Sequence, residues 1–121
     1  VYMPLKLKLL PEYAVGKKMS LDILEMDFDE VFFDKIISVE QSKGIVLKEA
    51  IESYVSQNSA FHLSTYGLTL KTPYGDRLKG ITAFDFKILA KGHKHEKWRN
   101  KACLGFIDQL PDNLIIWLFW Y

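Results

Sequence analysis

The end of the chain is an unbroken apolar run, and this run restricts the folds that are open to the sequence. Residues 114–121 contain only aliphatic and aromatic side chains, without alternating polar residues. A run of this kind is typical of a strand that is covered on both faces. Its eight residues fall far short of the roughly 20 that a membrane-spanning helix needs. The sequence therefore predicts a central strand in a sheet and no membrane partner.

The size and composition of the chain predict a single globular domain over residues 1–121. A chain of this length can bury one core, and its 49% hydrophobic and 26% charged residues are typical of folded proteins. The only cysteine, Cys103, cannot form an intramolecular disulfide and fits a reducing compartment. Lys6 and Lys8 interrupt the first apolar stretch, which is atypical of a secretory leader. We therefore expect a soluble, cytoplasmic protein.

The N-terminal part of the chain contains two predicted strands. Leucine and lysine alternate over residues 5–9, which predicts a half-buried strand that Pro11 ends. Residues 15–20 contain a glycine and two lysines and are expected to form a loop. Residues 21–26 are apolar on both alternating faces, so a second, buried strand is predicted there.

A helix is predicted to follow Asp27. Asp27 and Glu30 have the spacing of a capping box, and the apolar residues after them recur at helical intervals. The alternative is a strand over residues 35–40, which contain several β-branched residues. A turn is expected at residues 42–44.

The middle of the chain predicts one helix and a hairpin. Residues 45–57 carry apolar residues on one helical face. Residues 61–72 and 78–90 are interpreted as two strands joined by the turn at 73–76. The second strand is predicted from three apolar residues that alternate with charged ones: Phe84, Phe86 and Ile88.

A last helix is predicted over residues 93–110, before Pro111. Its inward face is expected to consist of four residues: Trp98, Ala102, Gly105 and Phe106. Together these elements predict an α+β fold. We expect an antiparallel-dominated sheet of about five strands, with two to three helices packed mainly on one face.

Charge is strongly segregated along the sequence. Residues 22–40 carry seven acids and one lysine, whereas residues 87–101 carry six basic residues and one acid. The net charge of +1 therefore conceals two local fields of opposite sign, either of which can steer a charged partner.

The acidic block suggests a binding surface made of four residues: Asp27, Asp29, Glu30 and Asp34. Carboxylates beside phenylalanines suit the capture of a basic protein. The favoured hypothesis is therefore a non-enzymatic binding protein that acts through charged surface patches, of the inhibitor or immunity type. The alternatives are a solvated acidic helix face, and a homodimer in which the acidic block meets the basic helix of a second copy.

The basic block suggests a second function. Four residues of the predicted helix form a candidate anion-binding surface: Lys94, Lys97, Arg99 and Lys101. If residues 93–101 are helical, the lysines lie along one side and can contact successive phosphates. Nucleic-acid binding is therefore the alternative function. Trp98 is expected to lie in the core and not to act as a stacking platform.

A third hypothesis is a metal-dependent nuclease. Asp76, Asp85 and Lys87 could hold Mg²⁺ and polarise a water molecule. Their order resembles that of the PD-(D/E)xK nuclease superfamily, which implies a core of helix, strands, helix and strand over residues 45–121. Pro73 lies three residues before Asp76 instead of next to it, a departure from the motif. If the chain is not such a nuclease, Asp85 and Lys87 are interpreted as the outward residues of an amphipathic strand.

His93 and His95 would point the same way on a strand and could share a metal ion. Two ligands alone do not make a zinc site, and Cys103 lies too far along the chain to complete one. We therefore predict no metal and no cofactor. The sequence also contains no glycine-rich phosphate cradle and no evident serine or cysteine nucleophile with a base, so an enzyme is not the favoured interpretation.

Overall fold

The computed structural model describes residues 6–15, 18–21, 24–47, 72 and 74–121. Six strands lie within these ranges: β1 Lys6–Val15, β2 Lys18–Leu21, β3 Leu24–Asp27, β4 Ile45–Val46, β5 Lys79–Thr82 and β6 Ile115–Trp120. The three described helices are α1 Glu30–Lys43, α2 Ala83–Ala90 and α3 Trp98–Asp108. The predicted α+β fold with an antiparallel sheet is confirmed. None of the described helices has the length and apolar character needed to cross a membrane.

The strands are ordered β2-β1-β6-β5-β4, and β3 pairs with β1 as well. All these pairings are antiparallel. The central position of β6 confirms the prediction from the apolar run. Ile116, Leu118 and Trp120 join the cluster that packs under the helices, whereas Trp117 and Phe119 join a second cluster on the opposite face. Both faces of β6 are covered, which explains why its sequence does not alternate.

Strand β1 continues through Pro11, so the expected end at Pro11 is wrong. Lys6 and Tyr121 exchange two backbone hydrogen bonds of 3.0 Å each, which directs the backbone nitrogens of residues 7, 9 and 11 away from β6. On that other side, β3 pairs with residues 6–9 and β2 with residues 12–15. Neither β2 nor β3 pairs with Pro11, so the missing N–H of this proline removes no hydrogen bond of the sheet.

The turn after β1 is tighter than the sequence suggests. Val15 pairs with Lys18, so the loop expected over residues 15–20 is largely a hairpin. The strand expected over residues 21–26 is divided between the end of β2 at Leu21 and the start of β3 at Leu24.

Lys8 is buried, although the alternation predicts it on the outer face of a half-buried strand. Its ammonium lies 5.1 Å from the centre of the Tyr121 ring. The second face of the sheet is covered by a hydrophobic cluster and not by solvent. The aliphatic part of the Lys8 side chain is therefore buried on this face.

Helix α1 confirms the helical interpretation of residues 30–40 against the strand alternative. Its N-cap is Asp29, and not Asp27 as expected, because the Asp29 carboxylate accepts a 3.1 Å hydrogen bond from the Phe32 N–H. The helix includes two residues of the expected turn, ends at Lys43 and has Gly44 as its C-cap. A Cβ on Gly44 would lie 2.2 Å from the Glu40 carbonyl oxygen, so a side chain does not fit there.

The helix predicted from Ile45 does not begin there. Ile45 pairs with Gly80, and the two residues of β4 extend the edge of the sheet. Residues 48–57 of that predicted helix, and the strand predicted over residues 61–72 except Thr72, lie outside the described residues.

The strand predicted over residues 78–90 is wrong beyond Thr82, where α2 begins. The Thr82 hydroxyl caps the helix by accepting a 3.2 Å hydrogen bond from the Asp85 N–H. Phe86 is buried, whereas Phe84 and Ile88 are exposed. Phe84 and Ile88 are four residues apart, so residues that share one face of a strand here also lie on one side of a helix.

Helix α3 begins at Trp98, later than predicted, and exposes the face that was expected to be buried. Its buried residues are Asn100, Cys103 and Ile107, while all four residues expected inside are exposed: Trp98, Ala102, Gly105 and Phe106. The Asn100 side chain accepts from the Asp27 N–H at 2.8 Å and donates to the Asp27 carbonyl at 3.0 Å. These polar contacts to β3, which hydrophobic periodicity does not register, fix the rotation of the helix.

Candidate functional site

The segment that joins α2 to α3, residues 91–97, lies against the N-terminal end of α1. Gly92 has a φ of +81°, which permits the sharp exit from α2. Two side chains then fasten the segment. His93 Nε2 lies 3.0 Å from Asp29 Oδ2, and Lys97 Nζ donates a 2.8 Å hydrogen bond to the Phe28 carbonyl. Residues 93–97, predicted to be helical, are therefore held in a non-helical connection.

The acidic and basic blocks meet within the molecule. Arg99 Nη1 lies 3.4 Å from Asp27 Oδ1 and 3.9 Å from Glu25 Oε2. Of the four predicted partner-binding acids, Asp27 and Asp29 are thus engaged with the basic segment. Glu30 and Asp34 remain exposed on α1. The two predicted charged surfaces are adjacent and partly neutralise each other.

Trp98 lies on the exposed side of α3 within the basic segment. Its exposed fraction is 74%, whereas Trp117 and Trp120 are 5% and 6% exposed. The Arg99 guanidinium lies 5.6 Å from the centre of the Trp98 ring, a cation–π arrangement. We define the Trp98 surface as this ring and the four predicted anion-binding residues: Lys94, Lys97, Arg99 and Lys101. All three lysines of this surface are exposed.

Asp29, His93 and His95 form a compact polar cluster beside this surface. One potential ligand atom from each residue lies within 4.8 Å of the other two. Asp29 Oδ2 is 3.7 Å from His95 Nδ1. The Phe32 ring lies against both histidines, with its centre 5.1 Å from that of His93 and 4.6 Å from that of His95. From the sequence, the two histidines are considered as a metal site and rejected, and Asp29, which is 64 residues from His93, is assigned to an external surface.

His95 is the least satisfied member of this cluster. Its exposed fraction is 8%, and neither ring nitrogen has a hydrogen-bond partner among the described residues. Burial lowers the pKa of His95, and the neighbouring His93 lowers it further. Burial alone would raise the pKa of Asp29, but hydrogen bonds with His93 and the Phe32 N–H hold it below its usual value. The cluster therefore presents a carboxylate beside a neutral imidazole.

A cleft of about 820 Å³ lies between α2 and α3, and His93 and His95 form part of its wall. Its apolar lining includes several residues of both helices: Phe84, Phe86, Ile88, Leu104 and Ile107. Phe84 and Ile88 are 50% and 53% exposed. Lys91 and Lys101 also line the cleft and form no ion pair with the described part of the chain. Asp108 and the Lys87–Asp112 ion pair line the cleft as well, so it combines an apolar floor with a small excess of positive charge.

The structure separates the residues of the nuclease hypothesis. Asp85 lies in the first turn of α2, 3.5 Å from Lys43. Lys87 instead contacts Asp112 at 2.9 Å. Side chains two residues apart on a helix do not face each other, and the strand that should have aligned Asp85 with Lys87 is helical. Asp76 lies in the segment before β5. No shared magnesium site follows from this arrangement.

No protein-family model, curated protein or solved structure matches this chain.

Proposed function

We propose that the chain is a non-enzymatic binding protein that holds single-stranded nucleic acid on the Trp98 surface. The observation that supports this function most directly is the exposure of Trp98 among four basic residues. A large ring in water loses the benefit of burial, and an exposed ring combined with basic residues is the arrangement that proteins use to hold single-stranded nucleic acid.

The chemistry of the surface matches that of unpaired nucleotides. A base can stack on an exposed indole, and such stacking contributes about 1–3 kcal/mol per base with little dependence on sequence. The exposed Lys94 and Lys101 can contact the flanking phosphates. Arg99 is partly neutralised by Asp27 and Glu25, so its main contribution is to pack against the indole.

Intrinsic fluorescence and the anisotropy of a labelled oligonucleotide test this proposal. Trp98 is the exposed tryptophan, since Trp117 and Trp120 are buried, so stacking of a base should quench its emission selectively. Trp98→Ala should weaken binding of a fluorescein-labelled oligo(dT) or oligo(U) about 5- to 160-fold. Phe106→Ala is the matched control, because it removes another exposed ring from the same helix.

The electrostatic part of the proposal has its own measurement. Replacement of both Lys94 and Lys101 by glutamine should reduce affinity and lower the slope of log K against log salt by about 0.7 for each phosphate that the variant no longer neutralises. Lys43→Gln is the control. Lys43 ends α1, about 20 Å along the helix from its Asp29 end, and its removal should leave the slope unchanged.

Two results would contradict nucleic-acid binding. One is the absence of binding to single-stranded DNA and RNA at 50 mM salt and micromolar protein. The other is binding that Trp98→Ala leaves unchanged while the variant retains the far-ultraviolet circular dichroism of the wild type.

A protein partner is the second candidate function, and the cleft supports it. Phe84 and Ile88 expose about half of their surface there, and Lys91 and Lys101 provide free positive charge. This complementarity favours an acidic amphipathic helix as the occupant. Phe84→Ser should abolish co-purification with such a partner without changing oligonucleotide binding, which separates the two functions.

The inhibitor or immunity-type hypothesis, with a basic protein as partner, is supported by Glu30 and Asp34, its exposed acids on α1. Reversal of these two charges should release a basic partner if this role is correct. Asp29 is unsuitable for that experiment, because it caps α1.

We propose a reducing compartment such as the cytoplasm for the protein. The free, buried thiol of Cys103 supports this location.

A further inference from the structure

We infer that Asp29, His93 and His95 form a binding site for a divalent cation of the zinc type, with an open coordination position toward the cleft between α2 and α3. The inference depends on the geometry of the cluster and does not require nucleic-acid binding.

The donor atoms are close to the arrangement that such an ion needs. Tetrahedral zinc with bonds of about 2.0–2.1 Å places its ligand atoms about 3.3 Å apart. Asp29 Oδ2 lies 3.0 Å from His93 Nε2 and 3.7 Å from His95 Nδ1. The ligand atoms of the three residues all lie within 4.8 Å of one another. Two imidazoles and one carboxylate suit zinc or a similar transition metal better than Mg²⁺ or Ca²⁺, which prefer oxygen ligands.

The unsatisfied state of His95 is an independent indication of a ligand. Its ring is more than nine-tenths buried, and both nitrogens lack hydrogen-bond partners in the described part of the chain. Buried polar groups are nearly always paired in folded proteins. A metal ion at the cluster would satisfy one of these nitrogens, which a simple ion pair between His93 and Asp29 does not do.

Asp29 is positioned for this role by the fold. Its Oδ1 accepts the capping hydrogen bond from the Phe32 N–H, while Oδ2 faces the histidines. The hydrogen bond from the Phe32 N–H fixes the orientation of the carboxylate and leaves Oδ2 for the ion. Hydrogen bonds of this kind commonly orient metal ligands in proteins.

The open position follows from the place of the histidines in the wall of the cleft. Three protein ligands leave a fourth site for water or for an anionic group of a bound molecule. Lys101 lines the same cleft as both histidines, so its positive charge opposes a bound cation. Lys101→Gln should therefore tighten metal binding.

Titration of the chelator-treated 121-residue chain with Zn²⁺ tests the site. The expected result is saturable binding of one ion per chain in isothermal titration calorimetry, with a Kd in the micromolar range or below. Bound Co²⁺ should give the intense visible absorption of a four-coordinate site. His93→Gln and His95→Gln should each weaken binding at least tenfold.

Asp29→Asn is the most informative variant, because asparagine caps helices about as well as aspartate. It keeps α1 intact and removes the anionic ligand, so Zn²⁺ binding should weaken at least tenfold. Glu96→Gln is the matched control. It removes one carboxylate from the same exposed segment and should bind Zn²⁺ like the wild type.

The proposed site would be overturned if the wild type did not bind Zn²⁺ stoichiometrically. It would also be overturned if Asp29→Asn, or a folded His95→Gln variant, bound Zn²⁺ with the affinity of the wild type. If His95→Gln does not fold, Asp29→Asn alone decides. Trp98→Ala should leave Zn²⁺ binding unchanged, so failure of the nucleic-acid proposal and failure of the metal site give different results.

Discussion

Gly80 allows β5 to pass closely beside the central strand, and its replacement by alanine should be strongly destabilising. Gly80 pairs with Trp117 on β6. A Cβ at this position would lie 2.7 Å from Ile115 Cγ2 and 2.7 Å from Trp117 Cε3. Ordinary van der Waals contact begins near 3.4 Å, so both neighbours would have to move by about 0.7 Å.

The neighbouring side chains cannot move cheaply. Ile115 is β-branched and stiff at χ1, and Trp117 is a large ring that is 5% exposed. Overpacking of this kind costs about 1–3 kcal/mol, which exceeds the roughly 0.5–1 kcal/mol that alanine gains over glycine in a strand. The middle values of these two ranges differ by about 1 kcal/mol, so we expect Gly80→Ala to lower the free energy of unfolding by about that amount. For a chain of this size, Tm should fall by about 3–6 °C per kcal/mol.

Gly105 provides a matched comparison for the same chemical change. It is helical and exposed, and a Cβ there would meet nothing within 4 Å. Gly105→Ala should therefore raise stability by about 0.5–1 kcal/mol through helix propensity. Urea unfolding of both variants, followed by circular dichroism, measures the contrast.

The clash can be identified by a double-mutant cycle. In a Trp117→Leu background the ring atoms that meet the new Cβ are absent, so the cost of Gly80→Ala should decrease. The reasoning would be refuted if Gly80→Ala were as stable as the wild type, or if its cost were the same in both backgrounds.

Three further predictions concern the interior. Burial raises the pKa of the Cys103 thiol from 9.0 to about 11, so its thiolate fraction falls about a hundredfold. Labelling by a thiol reagent at pH 8 should therefore be at least that much slower in the folded chain than in urea, and equal rates would contradict the burial. Burial also raises the pKa of the Glu40 carboxyl, although a hydrogen bond from Trp120 opposes the shift. The protonated Glu40 carboxyl therefore stabilises the folded chain. This contribution is complete below the ordinary pKa of 4.5 and is lost as the pH rises through the raised pKa of the folded state. Glu40→Gln should thus be more stable than the wild type near pH 7, with the difference disappearing below about pH 4 in urea titrations. Asn100→Ala leaves the Asp27 N–H and carbonyl without their partners and should cost about 1–3 kcal/mol, whereas a loss below about 0.5 kcal/mol would show that water replaces the amide.

The sequence predicts an element correctly where its hydrophobic pattern is compatible with only one type of secondary structure. Strand β6 is apolar throughout because both its faces are covered. Helix α1 has a cap and an apolar stripe that reinforce each other, although the cap is Asp29 and not Asp27. Local signals suffice where burial and hydrogen bonding favour the same structure.

The wrong predictions have specific physical causes. The apolar residues of α2 satisfy both an alternating strand and one side of a short helix, and the Thr82 cap decides between them. The rotation of α3 depends on the contacts of Asn100 with a backbone 73 residues away. Neither Trp98 nor Asp29 could be placed correctly from its neighbours in sequence, because distant elements determine their surroundings.

The pairing of the two charged blocks changes the functional argument. Asp27 and Asp29 hold the basic segment in place through Arg99 and His93, so these acids position the site instead of forming a separate one. The contacts of Asn100 with the Asp27 backbone turn α3 so that Trp98 points to solvent. Local neutralisation therefore leaves a surface on which a stacking ring and the remaining lysines act together. A variant that releases α3 from β3 without changing the charge, such as Asn100→Ala, should accordingly weaken oligonucleotide binding, whereas a surface that acts by charge alone would bind as before.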